Sequence, residues 1–234
     1  MGRRPEIIAH RGVPREFPEN SLPGFAAALA LGVDGIELDV QVTADGIPVV
    51  HHDPQLGRPA VAGAPLSGRT IASLTLAELR AHELAPGVGV PALDDVLGLV
   101  NGAATVYVEV KATGAERAVA TRLAGREPWT AVHGFNHRVP SRMRQLIPSL
   151  DVGVLSSSYL LDNLAPLRSV GARDLWQHWA MIDAPLVDAV HGAGGRVIAW
   201  TANDAEAMSA LAVLGVDGIC TDVPAVAIGL FGAR

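Results

Sequence analysis

Short apolar runs alternate along this chain with segments that have helical spacing. Eight of the runs predict strands, and seven of the segments between them predict helices. Such alternation is typical of a parallel sheet covered by helices, and eight units favour a closed barrel over an open doubly wound sheet. We therefore predict an α/β fold, a (β/α)8 TIM barrel, in a single domain spanning residues 1–234. The predicted strands are 6–9, 35–42, 105–111, 131–135, 152–155, 174–176, 196–200 and 218–221, and the predicted helices are 22–31, 93–100, 116–124, 140–146, 159–170, 185–193 and 204–214.

A small internal repeat agrees with this architecture. Residues 31–36 read LGVDGI, and the same letters recur at 214–219. Each copy combines a helix end, a glycine suited to the left-handed conformation and the start of a strand. If the copies open strands two and eight, the mean unit is about 30 residues, which is a usual length for one strand and one helix.

The stretch 53–91 departs from the regular pattern. Its glycines and prolines predict a short insertion after strand two, with one brief helix at 76–81. Before it, Asp45 and Gly46 predict a turn that sends the chain back towards the same rim. Because the insertion leaves the C-terminal end of a barrel strand, we expect it to wall the active site.

Charge and composition exclude several classes of protein. Lys and Arg total 18 against 24 Asp and Glu, a net charge of −6 without a basic stripe, so we expect no nucleic-acid partner. The single cysteine, Cys220, excludes an internal disulfide and a cysteine-rich metal site. The apolar runs are too short for stable membrane insertion and no secretory leader is visible, so we expect a cytoplasmic protein. The sequence leaves the oligomeric state open.

Acidic residues lie inside two of the apolar strands. Glu37 and Asp39 share one face of strand two, and Glu109 lies on the next strand with the same spacing to Lys111. Carboxylates inside an apolar strand are costly unless a metal or a base pairs with them. Three carboxylates on neighbouring strands predict a site for one divalent cation, Mg²⁺ or Ca²⁺. The alternative is a wet strand face with solvated charges.

Histidines lie at the expected catalytic end of the barrel. His10 and Arg11 close strand one, where His suits proton transfer and Arg suits a phosphate oxygen. After the predicted turn, His51 and His52 return to the same rim, and strand alternation allows only one of them to face the site. We favour His52, because the adjacent Asp53 can orient its ring.

Three further residues are candidates for the substrate pocket and its support. Lys111, the one lysine of the chain, is a candidate phosphate ligand. Trp200 ends strand seven and is a candidate for the pocket wall, with a packed core tryptophan as the alternative. Glu19, in the loop after strand one, is expected to support the residues that contact the substrate.

Other polar residues are interpreted as structural. Ser21 is expected to cap the first helix, and Asp222 to cap the last helix at Pro224. Phe135 to His137 at the end of strand four remain open between the two interpretations. The remaining histidines are expected to be surface or core residues, namely His82, His133, His137, His178 and His191.

Eight short motifs follow one another along essentially the whole chain. They are AHRG at 9–12, PENS at 18–21, ELDV at 37–40, TADG at 43–46, VVHHDP at 49–54, VEVK at 108–111, AWT at 199–201 and GVDGI at 215–219 leading to Pro224. Each motif alone is weak, but the ordered set is specific. It resembles the glycerophosphodiester phosphodiesterase family.

This resemblance implies a metal-dependent TIM barrel that hydrolyses glycerophosphodiesters to sn-glycerol 3-phosphate and an alcohol. It also implies a small-molecule partner and a glycerol 2-hydroxyl nucleophile, which forms a cyclic phosphate that water then opens. By resemblance, the metal ligands are Glu37, Asp39 and Glu109, the acid/base pair is His10 and His52, and the phosphate contacts are Arg11 and Lys111.

Two departures from the family pattern are present. Ser21 replaces the usual threonine, and residues 57–68 are rich in Ala and Pro where the family has an asparagine-rich segment. The second departure leaves the preference for the alcohol head group open. Two alternative functions remain, a lysophospholipase D or sphingomyelinase D-like enzyme, which an exposed apolar lip would favour, and a catalytically silent phosphodiester-binding barrel.

Overall fold

The strands close into a barrel, as predicted. A computed structural model describes residues 4–56 and 68–234 and shows eight parallel strands in one closed sheet, with an antiparallel strand added beside the second. In chain order the strands are β1 (Glu6–His10), β2 (Gly35–Val42), β3 (Pro48–Val50), β4 (Glu83–Ala85), β5 (Val88–Gly89), β6 (Thr105–Val110), β7 (Thr130–His133), β8 (Asp151–Ser156), β9 (Asp174–His178), β10 (Arg196–Trp200) and β11 (Gly218–Thr221).

A helix follows each barrel strand before the next one begins. Short 3-10 turns lie at Ile71–Ser73, Glu127–Trp129 and Trp179–Met181. The α-helices are α1 (Leu22–Leu31), α2 (Leu76–Leu79), α3 (Leu93–Val100), α4 (Glu116–Leu123), α5 (Arg138–Leu146), α6 (Ala165–Val170), α7 (Ala184–Gly192), α8 (Ala205–Leu214) and α9 (Pro224–Phe231).

One predicted helix is wrong over half its length. The periodicity predicted a helix over 159–170, but α6 begins only at Ala165. The Asp162 side chain accepts hydrogen bonds from the backbone N–H groups of Leu164 and Ala165, and Asn163 accepts one from Leu160. Such side chains offer the backbone an alternative to helical hydrogen bonds, so residues before 165 form a loop.

The segment after β2 forms the predicted hairpin and insertion. Strand β3 pairs antiparallel with β2, with Val40 opposite Val50. Helix α2 begins with a reciprocal cap between Thr75 and Glu78. Residues 57–67, which include most of the Ala- and Pro-rich departure, lie outside the described residues. The insertion has a small core of its own, formed by Val49, Leu56, Ile71, Leu74, Leu79 and Val90.

Large rings fill the barrel beneath its catalytic end. Tyr107 and Trp176 are about 1% exposed and meet edge to face with ring centroids 5.1 Å apart. Two glycines make room for them, because an added Cβ would lie 2.8 Å from the Tyr107 ring at Gly35 and 2.9 Å from the Trp176 ring at Gly153. The barrel is therefore a packed core and not an open channel.

The loop after β1 is held tightly against the first turn of α1. Ser21 caps this helix by accepting a hydrogen bond from the Gly24 N–H, as predicted. Gly12 has a φ of +90°, and an added Cβ would lie 2.8 Å from the backbone carbon of Gly24. This close approach fixes the segment that carries His10 and Arg11.

We expect Gly12→Ala to lower the free energy of unfolding by about 3 kcal/mol or more, because backbone strain adds to a steric clash. Gly46→Ala is the matched control, since its φ of +80° is similar but nothing lies within 4 Å of the added Cβ. That control is expected to lose only about 1 kcal/mol. Urea unfolding measures both, and equal losses would show that the contact with Gly24 is unimportant.

Candidate active site

A cavity opens at the C-terminal end of the barrel. It encloses about 250 Å³ and has two chemically different walls. The apolar wall contains Phe135, Leu155, Trp176 and Trp200. The polar wall contains His10, Arg11, Glu37, His52, Glu109 and Lys111, so the structure brings these predicted site residues together.

The strand register explains why these polar side chains meet. Neighbouring parallel strands place register partners on the same face of the sheet. His10 on β1 lies beside Glu37 on β2, and Asp39 lies beside Glu109 on β6. Glu109 in turn lies beside His133 on β7. Four adjacent strands therefore present one continuous polar row towards the cavity.

Three buried side chains of this row form a possible metal site. Ligand atoms of Glu37, Glu109 and His133 all lie within 4.8 Å of one another. Glu37 Oε2 is buried without a hydrogen-bond partner among the described residues. A buried carboxylate oxygen normally has a partner, and a bound cation would provide one here. Burial raises the pKa of the Glu109 carboxyl, although His133 and Lys111 oppose this. The residues present therefore fit a divalent cation.

His133, predicted from the sequence to be a surface or core residue, belongs to this group. The predicted strand 131–135 placed Ala131, His133 and Phe135 on one face, which was the available signal. Which face points inward, however, depends on the register with β6, and a single strand pattern does not supply that register.

Asp39 is bound by cations in this structure. Its Oδ2 lies 3.0 Å from Arg11 Nε and its Oδ1 lies 3.2 Å from Lys111 Nζ. The Asn20 side-chain amide donates to Oδ2 at 2.9 Å. Burial alone would raise the pKa of Asp39, but Arg11 and Lys111 hold it below its ordinary value. The role of Asp39 as a metal ligand stays a prediction, whereas its contact with both phosphate-binding candidates is observed.

Each of the two candidate catalytic histidines is oriented by a carboxylate. His10 Nδ1 lies 2.6 Å from Asp222 Oδ1, and His52 Nδ1 lies 2.8 Å from Asp53 Oδ1. Both residues line the cavity, and His10 Nε2 lies 3.9 Å from Glu37 Oε2. Burial alone would lower the pKa of His10, but its hydrogen bond to the Asp222 carboxylate and the charge of Glu37 raise this pKa above its ordinary value.

The predicted role of Asp222 as a helix cap is wrong. Helix α9 is preceded by Val223 and has no side-chain cap. Asp222 instead accepts a hydrogen bond from the Asn203 amide at 2.7 Å while its other oxygen holds His10. The sequence hid this contact because His10 and Asp222 stand at opposite ends of the chain and meet only when β11 pairs with β1.

Comparison with known proteins agrees with this geometry. Residues 10–226 match the glycerophosphoryl diester phosphodiesterase family. This chain belongs to that family. A glycerophosphodiester phosphodiesterase of Caldanaerobacter subterraneus subsp. tengcongensis is 30% identical over 96% of both chains. The chain is therefore an enzyme of the phosphodiesterase class.

Solved structures of this family share the fold. A putative glycerophosphoryl diester phosphodiesterase from Silicibacter pomeroyi superposes with a TM-score of 0.87 at 28% identity, covering 98% of this chain and 95% of that one. An Oleispira antarctica phosphodiesterase, solved in complex with the product sn-glycerol-3-phosphate, gives a TM-score of 0.85 at 25% identity over 97% of each chain.

In the present protein, the loop after β1 carries strained backbone. Arg11 and Asn20 both have a φ of +57°, which is uncommon for residues other than glycine. The Asn20 N–H donates to the Arg11 carbonyl at 3.0 Å, and Arg11 Nη1 lies 3.2 Å from Glu19 Oε2. The loop thus aims the Arg11 guanidinium at Asp39, and Glu19 contacts the same guanidinium, while its supporting role stays a prediction.

The remaining candidates are distributed between the cavity and the scaffold. Trp200 lines the pocket, while its Nε1 donates to the Trp176 carbonyl at 3.1 Å. His51 borders a second cavity beside His52, and its Nδ1 lies 2.8 Å from the Asp53 carbonyl. The other histidines, except His133, lie away from the polar row: His82 is buried in the insertion, His137 contacts the Leu155 carbonyl, His178 contacts Trp200 and His191 pairs with Asp217.

We expect Asp222→Asn to lower kcat for phosphodiester hydrolysis about 10²- to 10⁴-fold with little change in KM, because the amide no longer holds His10 in one tautomer. Steady-state kinetics measure this loss. Asp204→Asn is the control, because Asp204 caps α8 and Asn caps equally well. Unchanged kcat in a folded Asp222→Asn enzyme would contradict the positioning role.

Proposed function

We propose that this phosphodiesterase hydrolyses glycerophosphodiesters to sn-glycerol 3-phosphate and an alcohol, with His10 and His52 as its acid/base pair. One observation carries the proposal. Two histidines, each held by a carboxylate, border the same small cavity as two cationic side chains and a possible metal site. The family relative that holds the product sn-glycerol-3-phosphate supports the substrate class.

Arg11 and Lys111 are proposed to bind the phosphate oxygens. Both side chains line the cavity, and both are already paired with Asp39. Because the carboxylate holds them in place, little side-chain freedom is lost when the phosphate arrives. Arg11 presents the planar donors that suit two phosphate oxygens, and Lys111 contributes a point charge.

The histidines are proposed to move the two protons of the reaction. One ring takes the proton of the attacking hydroxyl as its oxygen bonds to phosphorus, and the other gives a proton to the departing alcohol oxygen as that bond breaks. Following the family resemblance, the attacking hydroxyl is the glycerol 2-hydroxyl, and water opens the cyclic phosphate in a second step. Asp222 and Asp53 stabilise whichever ring carries the extra proton.

Glu37 and Glu109, with His133 beside them, are proposed to hold the divalent cation. When bound, such a cation neutralises charge on a non-bridging phosphate oxygen. The oxygen ligands predicted Mg²⁺ or Ca²⁺, and Asp39 stays a predicted third oxygen ligand.

A catalytically silent binding barrel is disfavoured, because both histidines and both carboxylates reach the cavity. The cytoplasmic location also stays a prediction, and no helix within 4–56 and 68–234 has the length and hydrophobicity to cross a bilayer.

We expect His10→Ala and His52→Ala each to lower kcat on glycerophosphocholine about 10²- to 10⁴-fold, because each removes one proton-transfer group. A coupled assay for sn-glycerol 3-phosphate measures turnover. His191→Ala is the control, since His191 lies on α7, pairs with Asp217 and does not line the cavity. Full activity in either folded mutant would contradict the assigned role.

A second candidate substrate class is favoured by the rim of the cavity. Six exposed hydrophobic side chains lie on the loops after β7, β8 and β9. Phe135 meets Trp200 edge to face, Trp200 meets His178, and His178 stacks on Trp179, so aromatic contacts lead from the pocket to the surface. This is the apolar lip expected for a lysophospholipase D. The six side chains, defined as the apolar rim, are Phe135, Tyr159, Leu160, Leu161, Trp179 and Met181.

If the apolar rim holds an acyl chain, Trp179→Ala should lower kcat/KM for 1-acyl-lysophosphatidylcholine about 10-fold or more and leave glycerophosphocholine unaffected. A buried aromatic side chain contributes roughly 1.5 to 3 kcal/mol to such a contact. Val213→Ser is the control, because Val213 is an exposed hydrophobic residue on α8. Equal losses on both substrates, or no lysophospholipid turnover, would eliminate this candidate.

A further inference from the structure

His133 contributes a nitrogen to a cluster that otherwise contains carboxylates. Its ring is 1% exposed, and Nε2 lies 3.6 Å from Glu37 Oε1. Glu109 is the register partner of His133, so both side chains point into the barrel from adjacent strands. Atoms that bind one ion at roughly 2.0 to 2.4 Å lie no more than about twice that far apart. The mutual 4.8 Å limit met by Glu37, Glu109 and His133 satisfies this condition.

The surroundings of His133 do not explain it as an ordinary core histidine. A buried imidazole normally has hydrogen-bond partners for its nitrogens. Within the described residues, Nδ1 of His133 has none, and the 3.6 Å distance from Nε2 to Glu37 is too long for a hydrogen bond. The ring is instead fixed by stacking on Trp176, with centroids 4.1 Å apart and planes 7° apart. The orientation of the ring is therefore fixed, while neither of its nitrogens has a hydrogen-bond partner among the described residues.

Asp39, the third oxygen ligand expected from the sequence, is engaged elsewhere in the site. Arg11, Lys111 and Asn20 surround its two oxygens at 2.9 to 3.2 Å. Glu109 also contacts Lys111, at 2.8 Å, so pairing with a cation alone does not separate the two carboxylates. Proximity does separate them, because among the described residues the ligand atoms close enough together for one ion belong to Glu37, Glu109 and His133.

We propose that His133 is a nitrogen ligand of the cation held by Glu37 and Glu109, and that the site therefore prefers a first-row transition dication over Mg²⁺ and Ca²⁺. Imidazole nitrogen suits Zn²⁺ and its neighbours in the first row, whereas Mg²⁺ and Ca²⁺ prefer oxygen alone. Mn²⁺, Co²⁺ and Zn²⁺ are the ions of this class that also accept carboxylates. The inference rests on the proposed function only in placing the catalytic cation at this cluster.

Pulsed electron paramagnetic resonance of the Mn²⁺-loaded full-length protein tests the ligand directly. Chelator-treated protein is loaded with one equivalent of Mn²⁺, and the nitrogen modulation of the ion is recorded. Coupling to one imidazole nitrogen is expected, and ¹⁵N-histidine labelling should change its frequency. Absence of nitrogen coupling to bound Mn²⁺ overturns the proposal without any need for a mutant to fold.

A matched pair of variants tests the selectivity. His133→Gln should abolish the nitrogen coupling and weaken Mn²⁺ and Zn²⁺ binding about 10-fold or more. Mutating a residue that merely supports a metal ligand already costs about 10-fold in affinity, and losing a ligand should cost at least as much. Its Mg²⁺ and Ca²⁺ affinities should change by less than about 3-fold, because the amide oxygen suits those ions. His191→Gln removes an exposed histidine from α7 and should change none of these values. Calorimetric titration of each ion, with circular dichroism to check folding, provides the measurement.

Hydrolysis of glycerophosphocholine then separates the two proposals. Nitrogen-coordinated Mn²⁺ in a protein that does not hydrolyse this substrate would support the ligand and refute the proposed function. Efficient hydrolysis with Mg²⁺ or Ca²⁺ bound more tightly than Mn²⁺, and no nitrogen coupling, would refute the ligand and leave the function standing.

Discussion

The buried carboxylate of Asp39 is the charge around which the catalytic face is arranged. It lies between Arg11 on the β1 loop and Lys111 at the end of β6, and Asn20 donates to it from the start of α1. Removing one partner from such a buried group would leave the others uncompensated, at a cost of several kcal/mol. The strained loop that carries Arg11 is thus tied to the barrel by an interaction that also holds the two side chains proposed to bind phosphate.

The sheet register determines which side chains can share this face. A slip of one residue in a strand turns every side chain to the opposite side of the sheet. With the observed register, Asp39, Glu109 and His133 are neighbours on β2, β6 and β7, and Glu37 lies on the same face beside Tyr107. Tyr107 and Glu109 are two residues apart on β6 and face the same side of the sheet. The packed rings and the polar groups therefore occupy successive inward-facing positions of the strands.

Most of the fold was predictable because its signals are local. Each predicted strand agrees with an observed strand to within two residues at either end, and the carboxylates of β2 and β6 were visible as charges inside apolar runs. What was missed depends on long-range pairing. His133 needed the register of β7 with β6, and Asp222 needed β11 to close against β1. The predicted helix at 159–170 begins too early for a local reason, because the Asp162 side chain accepts hydrogen bonds from the backbone N–H groups of Leu164 and Ala165.

The charges of the cavity explain how an acidic protein holds an anionic substrate. Three carboxylates, Glu37, Asp39 and Glu109, lie beside the cationic side chains of Arg11 and Lys111, so carboxylates outnumber these two cations. A bound dication would add two positive charges beside these carboxylates and so favour a phosphodiester anion. The overall charge of −6 therefore does not oppose substrate binding, because the field is decided within a few ångströms of the phosphate. If a dication and the substrate phosphate bind side by side as proposed, their opposite charges make each strengthen the binding of the other.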